Sequence, residues 1–396
     1  MTAGLTESTI AAALRSHLRP GMTVALGDGV GAPRCTEDGT SVASALSAVA
    51  QELGGIRLVL GWLTAPLDGI EAAAYREVIA LMPGWGVREV LATPTARFVP
   101  TPLSGIAALL RGALRPDALI TRIVERGGSL YFGTEVSWQR ELVDAGVPVL
   151  AILDRNGPCA DAGPLVDPAA VAVIGHSADG PKQFPSPDPD PAHESLADAV
   201  LRFVPSGARL QYGPGQLGTA LLRQTRHSVH IDTGLLTDAV VELERRGFLD
   251  GMPSATYLFG SETLYDWADG KPILRGIEYT HDNTRLSRGA PLIAINTAIE
   301  IDPMGQVNVE GAGEKVVGGI GGHPDYCAAA RASREGLSII AVPSMVKGRS
   351  PLVERLSRPV STPAYDIDVI VTENGHADLR GADWDQRARL IAALFE

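Results

Sequence analysis

The feature that most constrains this chain is a regular alternation of short apolar, β-branched runs with amphipathic segments. The run at 56–62, IRLVLGW, is apolar on both alternating faces, as expected for a strand covered on both sides. Further strands are read at 23–26, 88–92, 118–123, 147–153 and 170–174, with helices at 41–53, 105–114 and 137–145. Ile10, Leu14 and Leu18 recur at helical spacing near the N-terminus. Strands alternating with helices call for α/β units around a largely parallel sheet. The 44 glycines and 28 prolines suit the many short turns that such a fold needs.

The alternation breaks once. Residues 176–194, HSADGPKQFPSPDPDPAHE, are polar and carry five prolines, which lack the amide donor and fix φ. This stretch reads as an extended linker, or else as a long surface loop. A second alternation follows, with a helix at 195–203 and strands at 208–213, 228–233, 255–259, 292–296, 338–342 and 367–371. A closing helix is read at 383–394. The expected organisation is an N-terminal α/β domain at 1–178, a proline-rich linker at 179–194 and a C-terminal α/β domain at 195–396. A chain of 396 residues has ample length for two such cores.

Bulk properties exclude several classes. A net charge of −12 argues against nucleic acid as a partner. No apolar run is long enough to span a bilayer, and the first 21 residues lack the pattern of a signal peptide. Cys35, Cys159 and Cys327 lie far apart and form no CxxC, which fits reduced thiols in the cytoplasm. His230, His281 and His323 have no metal-binding spacing, so no metal is expected; no tightly bound cofactor is expected either.

Three loops have the chemistry of ligand sites. Gly318-Gly319-Ile320-Gly321-Gly322 precedes a helical segment from His323, so its backbone can approach a ligand and aim N–H groups at an anion. Gly213-Pro214-Gly215 joins a strand to a helix, an arrangement that can seat a nucleotide or serve as a plain tight turn. Ser344, Lys347 and Arg349 follow the strand at 338–342, where two cations could meet phosphates or simply face water. Glu135 lies in a glycine-flanked turn, GTEV, at a strand end of the first half.

Four segments of the second half come in order: INTAIEIDPMGQVNVE at 295–310, GGIGGHPDYCAAARAS at 318–333, SIIAVPSMVKG at 338–348 and VTENGHADLRG at 371–381. Together they resemble the acetyl-CoA hydrolase/CoA-transferase family, in its 4-hydroxybutyrate CoA-transferase-like branch. LQYGPGQLGTALL at 210–222 is similar to a family segment as well, and the first half matches more loosely. The resemblance implies two open, Rossmann-like α/β domains with an active-site cleft between them, an acyl-CoA substrate, a carboxylate co-substrate and a homodimer. In family transferases a glutamate attacks the thioester, and the glycine loop that aligns with Gly321 and Gly322 holds the oxyanion. That glutamate falls on Gly234 when VHIDTGLLTDAVVEL, at 229–243, is laid over the family segment without gaps.

Glycine cannot be a nucleophile. The resemblance therefore leaves three readings. The first is a CoA-transferase or acyl-CoA hydrolase acting on a small acyl-CoA, its carboxylate supplied by Glu135 or by Asp232, which a two-residue gap places on the glutamate. The second is a hydrolase, or C–C hydrolase, without a covalent step. The third is a silent acyl-CoA-binding protein. His323 stands where the family has glutamine and could polarise a carbonyl, activate water or be structural.

Overall fold

The computed structural model describes residues 9–396, which divide into two compact units. One comprises residues 9–101, 105–182 and 268–276; the other comprises 102–104, 183–267 and 277–396.

The first unit is built on a parallel sheet. Its strands run in the spatial order Ala96–Phe98, Glu77–Ala80, Arg57–Leu60, Thr23–Leu26, Ala118–Arg126, Val149–Asp154 and Val171–His176. Val24 is in register with Leu58 on one side and Ala118 on the other. Ser129–Tyr131 folds back antiparallel on Ala118–Arg126. The central strands are buried along their length because the helices Thr9–His17 and Val42–Leu53 pack Ile10, Leu14, Leu46 and Val49 into the core. Ser41 caps the second helix by accepting from the Ser44 amide at 3.2 Å, and Gly54 ends it at φ 75°.

The strand expected at 88–92 is a helix, Arg88–Leu91, entered from the turn Trp85–Val87. A short run such as REVLA does not separate helix from strand by periodicity. Here Val90 and Leu91 pack on the core from one side only, while Glu77–Ala80 and Ala96–Phe98 take the strand positions. The helix expected from Ser195 starts at Pro191, inside the stretch read as linker. Asp190 caps it by accepting from the His193 amide at 3.0 Å, and Pro191 sits in the first turn, where a missing N–H costs nothing.

In the second unit the sheet order is His230–Ile231, Arg209–Gln211, Leu292–Asn296, Leu337–Ala341, Val369–Thr372 and Gly375–Asp378. The first five strands are parallel, and the last two form an antiparallel pair. The helix His323–Ala332 packs Tyr326, Ala329 and Ala330 against Leu286, Leu292 and Ala294. The closing helix, Trp384–Ala392, begins with a reciprocal Asp383–Gln386 capping box and buries Ile391 against Ile370 and Leu379. Among the described residues no helix is long and apolar enough to cross a membrane.

Candidate active site

Parallel pairing sends the carboxyl ends of the second unit's strands to one edge, where α/β folds gather their ligands. Arg209–Gln211 leads into the turn 213–215, and His230–Ile231 into Asp232, Thr233 and Gly234. Leu292–Asn296 ends on Asn296, whose amide exchanges hydrogen bonds with Gln211 at 3.1 and 3.3 Å. Leu337–Ala341 leads towards Ser344.

The glycine loop 318–322 ends on Gly322, the N-cap of His323–Ala332. Gly321 has φ 58°, a left-handed value that favours glycine, and its carbonyl accepts from the Leu103 amide at 2.9 Å. The amides of Gly321 and Gly322 donate to no acceptor among the described residues. Unpaired amides at the start of a ten-residue helix make a place for negative charge.

His281 lies against this loop. Its side chain is 2% exposed, and Nδ1 is 2.9 Å from the Thr280 hydroxyl. The ring packs edge-on to Tyr326 at 5.0 Å between centroids, and the Tyr326 hydroxyl donates to the Thr280 carbonyl at 2.9 Å. A Cβ added to Gly322 would collide with Nε2, and a Cβ on Gly234 would stand 3.3 Å from the same atom. The φ of Gly234 is not in the left-handed region, so its backbone would accept any residue. What fills the space beside it is the imidazole. Nε2 has no hydrogen-bond partner among the described residues. Burial, with Arg285 nearby, pushes the His281 pKa down to about 3 against the opposing effect of Asp232, so the ring is neutral at physiological pH.

Asp232 faces elsewhere. Its buried carboxylate accepts two hydrogen bonds from Arg285, at 2.8 and 2.9 Å, and one from Arg209 at 3.2 Å. Arg285 also donates to the Tyr279 carbonyl and lies over the Tyr279 ring at 4.2 Å. Asp232 thereby ties the segment 277–286, which carries His281, to the strand end beside Gly234.

The other candidates are placed as follows. His323 has both nitrogens engaged, Nδ1 with the Thr362 hydroxyl at 2.6 Å and Nε2 with the Thr297 carbonyl at 3.1 Å; burial lowers its pKa to about 4. Gly215, at φ 109°, caps the helix Gln216–Gln224, and Gly213 is half-buried with open space at its Cα. The Ser344 amide and hydroxyl both donate to Glu373, at 2.8 and 2.5 Å. Lys347 and Arg349 are exposed on a tight turn closed by the Val346–Arg349 backbone pair, with Lys347 at φ 52° and Gly348 at φ 76°.

Glu135 belongs to the first unit. Its buried carboxyl accepts from the Gly31 amide at 3.0 Å and the Thr134 hydroxyl at 2.9 Å. It lies so close to Gly29 and Gly31 that a Cβ on either would strike it. Burial foremost, with Asp28 adding to it and the Gly31 amide opposing, raises its pKa to about 7.

A cavity of about 570 Å³ in the second unit is lined by His281, Ser104, Glu278, Asn283 and Asp325, among others. Ser104 donates to Asp325 from its amide at 3.2 Å and its hydroxyl at 2.5 Å, while burial raises the Asp325 pKa to about 6. Sequence reasoning considered His281 only as a metal ligand. No local pattern marks its role, because residues 234, 281 and 322 meet only in the folded chain. No cluster of three or more metal-ligating side chains occurs among the described residues.

Residues 260–394 match the family model of the acetyl-CoA hydrolase/transferase C-terminal domain. Over 332 residues the chain is 24% identical to the 4-hydroxybutyrate coenzyme A transferase of Clostridium kluyveri, covering 79% of this chain and 77% of that one. RipA from Yersinia pestis shares the fold at a TM-score of 0.86 and 22% identity, over 98% of this chain and 94% of RipA. The 4-hydroxybutyrate CoA-transferase of Porphyromonas gingivalis does so at 0.79 and 20%, with the same coverage. The fold is thus that of the CoA-transferases. Within it, the match to the acetyl-CoA hydrolase/transferase C-terminal domain covers residues 260–394.

Proposed function

We propose that this protein is an enzyme of the CoA-transferase/acyl-CoA hydrolase type, acting on the CoA thioester of a small carboxylic acid. The observation that carries this reading is the glycine loop 318–322, with unpaired amides at a helix N-terminus, inside the matched domain. A thioester carbonyl gaining negative charge is the kind of group such amides stabilise. The exposed Lys347 and Arg349 are the basic groups assigned to the CoA phosphates, and Gly213 and Gly215 the turn that admits its pantetheine arm. CoA enters as substrate, with no resident cofactor. A cytoplasmic homodimer is part of the same reading.

The test is turnover. The protein is incubated with acetyl-, butyryl- and succinyl-CoA, with and without a free carboxylate acceptor, and products are separated by chromatography. Release of CoA identifies a hydrolase, and appearance of a second acyl-CoA identifies a transferase. Neither product from any of these thioesters, together with no thermal stabilisation by CoA, would sink the reading. A ligand at a hundred times its Kd adds about 2.7 kcal/mol of stability.

A further inference from the structure

We infer that His281 is the catalytic base of this site, its Nε2, which borders Gly234 and Gly322, activating a water molecule for thioester hydrolysis. The inference rests on the acyl-CoA reading and goes past it, choosing water as acceptor and naming the residue.

Three observations meet at one atom. His281 is a buried side chain, yet its Nε2 has no hydrogen-bond partner among the described residues, so one hydrogen-bonding position is vacant. It borders Gly322, on the loop that offers unpaired amides, and Gly234, where the family resemblance calls for the attacking group. It also belongs to a residue that lines a cavity of about 570 Å³. The Asp232–Arg285 pair and the Tyr326–Thr280 hydrogen bond hold the segment in place. They are positioning groups rather than reactants.

With Nδ1–H donating to Thr280 Oγ1, Nε2 holds the lone pair. The water oxygen bonds to the thioester carbonyl carbon, and one water proton passes to Nε2. The carbonyl oxygen becomes an oxyanion facing the amides of Gly321 and Gly322. The C–S bond then breaks, its electron pair goes to sulfur, and sulfur takes the proton from Nε2. The products are the free acid and CoA thiol, and the imidazole is neutral again. Burial keeps the ring neutral before the attack, so the Nε2 lone pair is free to take the water proton.

The test compares wild type with His281→Ala and His281→Asn, the second keeping a donor for the Thr280 hydroxyl. Acyl-CoA hydrolysis, thermal stabilisation by CoA and intact mass are measured on all three. The expected result is a fall in kcat of about 10²–10⁴-fold with KM changed little. CoA should stabilise the variants as it does wild type, added imidazole should partly rescue His281→Ala, and no acyl or CoA adduct should form on wild type. If both variants keep kcat within a few-fold of wild type, the inference fails while the acyl-CoA reading stands. A CoA or acyl adduct on the wild-type chain also overturns it. Wild type that neither binds nor cleaves any acyl-CoA overturns both.

Discussion

The imidazole of His281 occupies the room that a side chain on Gly234 would need, since a Cβ there would lie 3.3 Å from Nε2. That is a tight contact: a side chain at 234 requires the His281 ring to give by a few tenths of an ångström, and a glutamate there competes with the ring for the same room. Gly234→Glu alone should therefore overpack the site, costing about 1–3 kcal/mol, and should form no enzyme-bound CoA thioester. Gly234→Glu combined with His281→Ala frees the volume, and that double variant should gain the mass of CoA less one water on incubation with acyl-CoA. An adduct on the single variant, read by intact mass, would show that the ring yields easily.

Asp232 supplies the second prediction. Its carboxylate is buried between Arg285 and Arg209, so removing it leaves two guanidinium groups without their shared counter-charge, although both keep backbone carbonyl acceptors. Asp232→Ala should lose about 3–5 kcal/mol in urea unfolding, as expected for breaking a buried pair from one side. Because the pair anchors the segment bearing His281, Asp232→Asn should lower kcat more than it raises KM. Full stability in either variant would refute the anchoring role.

Much of the sheet was legible because its strands are apolar, β-branched and flanked by turns; Thr23–Leu26 and Val369–Thr372 are examples. Arg88–Leu91 was not, because four residues cannot display a period. The helix start at Pro191 was obscured by its own prolines, which read as linker until Asp190 is seen capping them. The glycine loop at Gly321 and Gly322 was legible as a motif, and Gly234 as a missing side chain. Asp232 carried a chemical hint in its residue type, but its partners Arg209 and Arg285 come from distant segments. The role of His281 was invisible for the same reason: it arises from tertiary packing against Gly234 and Gly322.

Glu135 gives a pH prediction. Its folded pKa, about 7, is raised above the ordinary 4.5, so between those values the folded state holds a proton that the unfolded chain has released. The contribution is fully present below about pH 4.5 and is lost as pH rises through 7, on the order of 3 kcal/mol in all. His281 and His323, with lowered values, act in the opposite sense below about pH 6.5. The Glu135 effect is therefore isolated by difference. Glu135→Gln, neutral at every pH, should gain stability relative to wild type as pH rises from 5 to 8. A difference in urea midpoints that stays flat over this range would mean that the carboxyl is ionised throughout.

Gly322 couples to His281 directly. A methyl group at 322 would strike Nε2, so Gly322→Ala should be destabilised, while in a His281→Ala background the same change should cost much less. Contacting residues commonly couple by about 0.5–3 kcal/mol in double-mutant cycles, and this pair should fall in that range. Additive effects would place the ring away from the loop.

Lys347 and Arg349 carry the last prediction. Both are exposed on a turn that the Val346–Arg349 backbone pair closes without help from either side chain. Replacing them should therefore leave the unfolding midpoint close to wild type. Lys347 sits at φ 52°, so Lys347→Asn is the gentler choice there, asparagine tolerating left-handed backbone better than most residues. If the turn meets CoA phosphates, Lys347→Asn combined with Arg349→Gln should raise KM for acyl-CoA by about tenfold or more, equivalent to about 1.4 kcal/mol, with kcat little changed. The wild-type KM should rise with ionic strength and the variant KM should rise less, because exposed charge pairs are screened by salt. A double variant with wild-type KM and wild-type salt dependence would remove both residues from the CoA site and leave the turn as solvated surface.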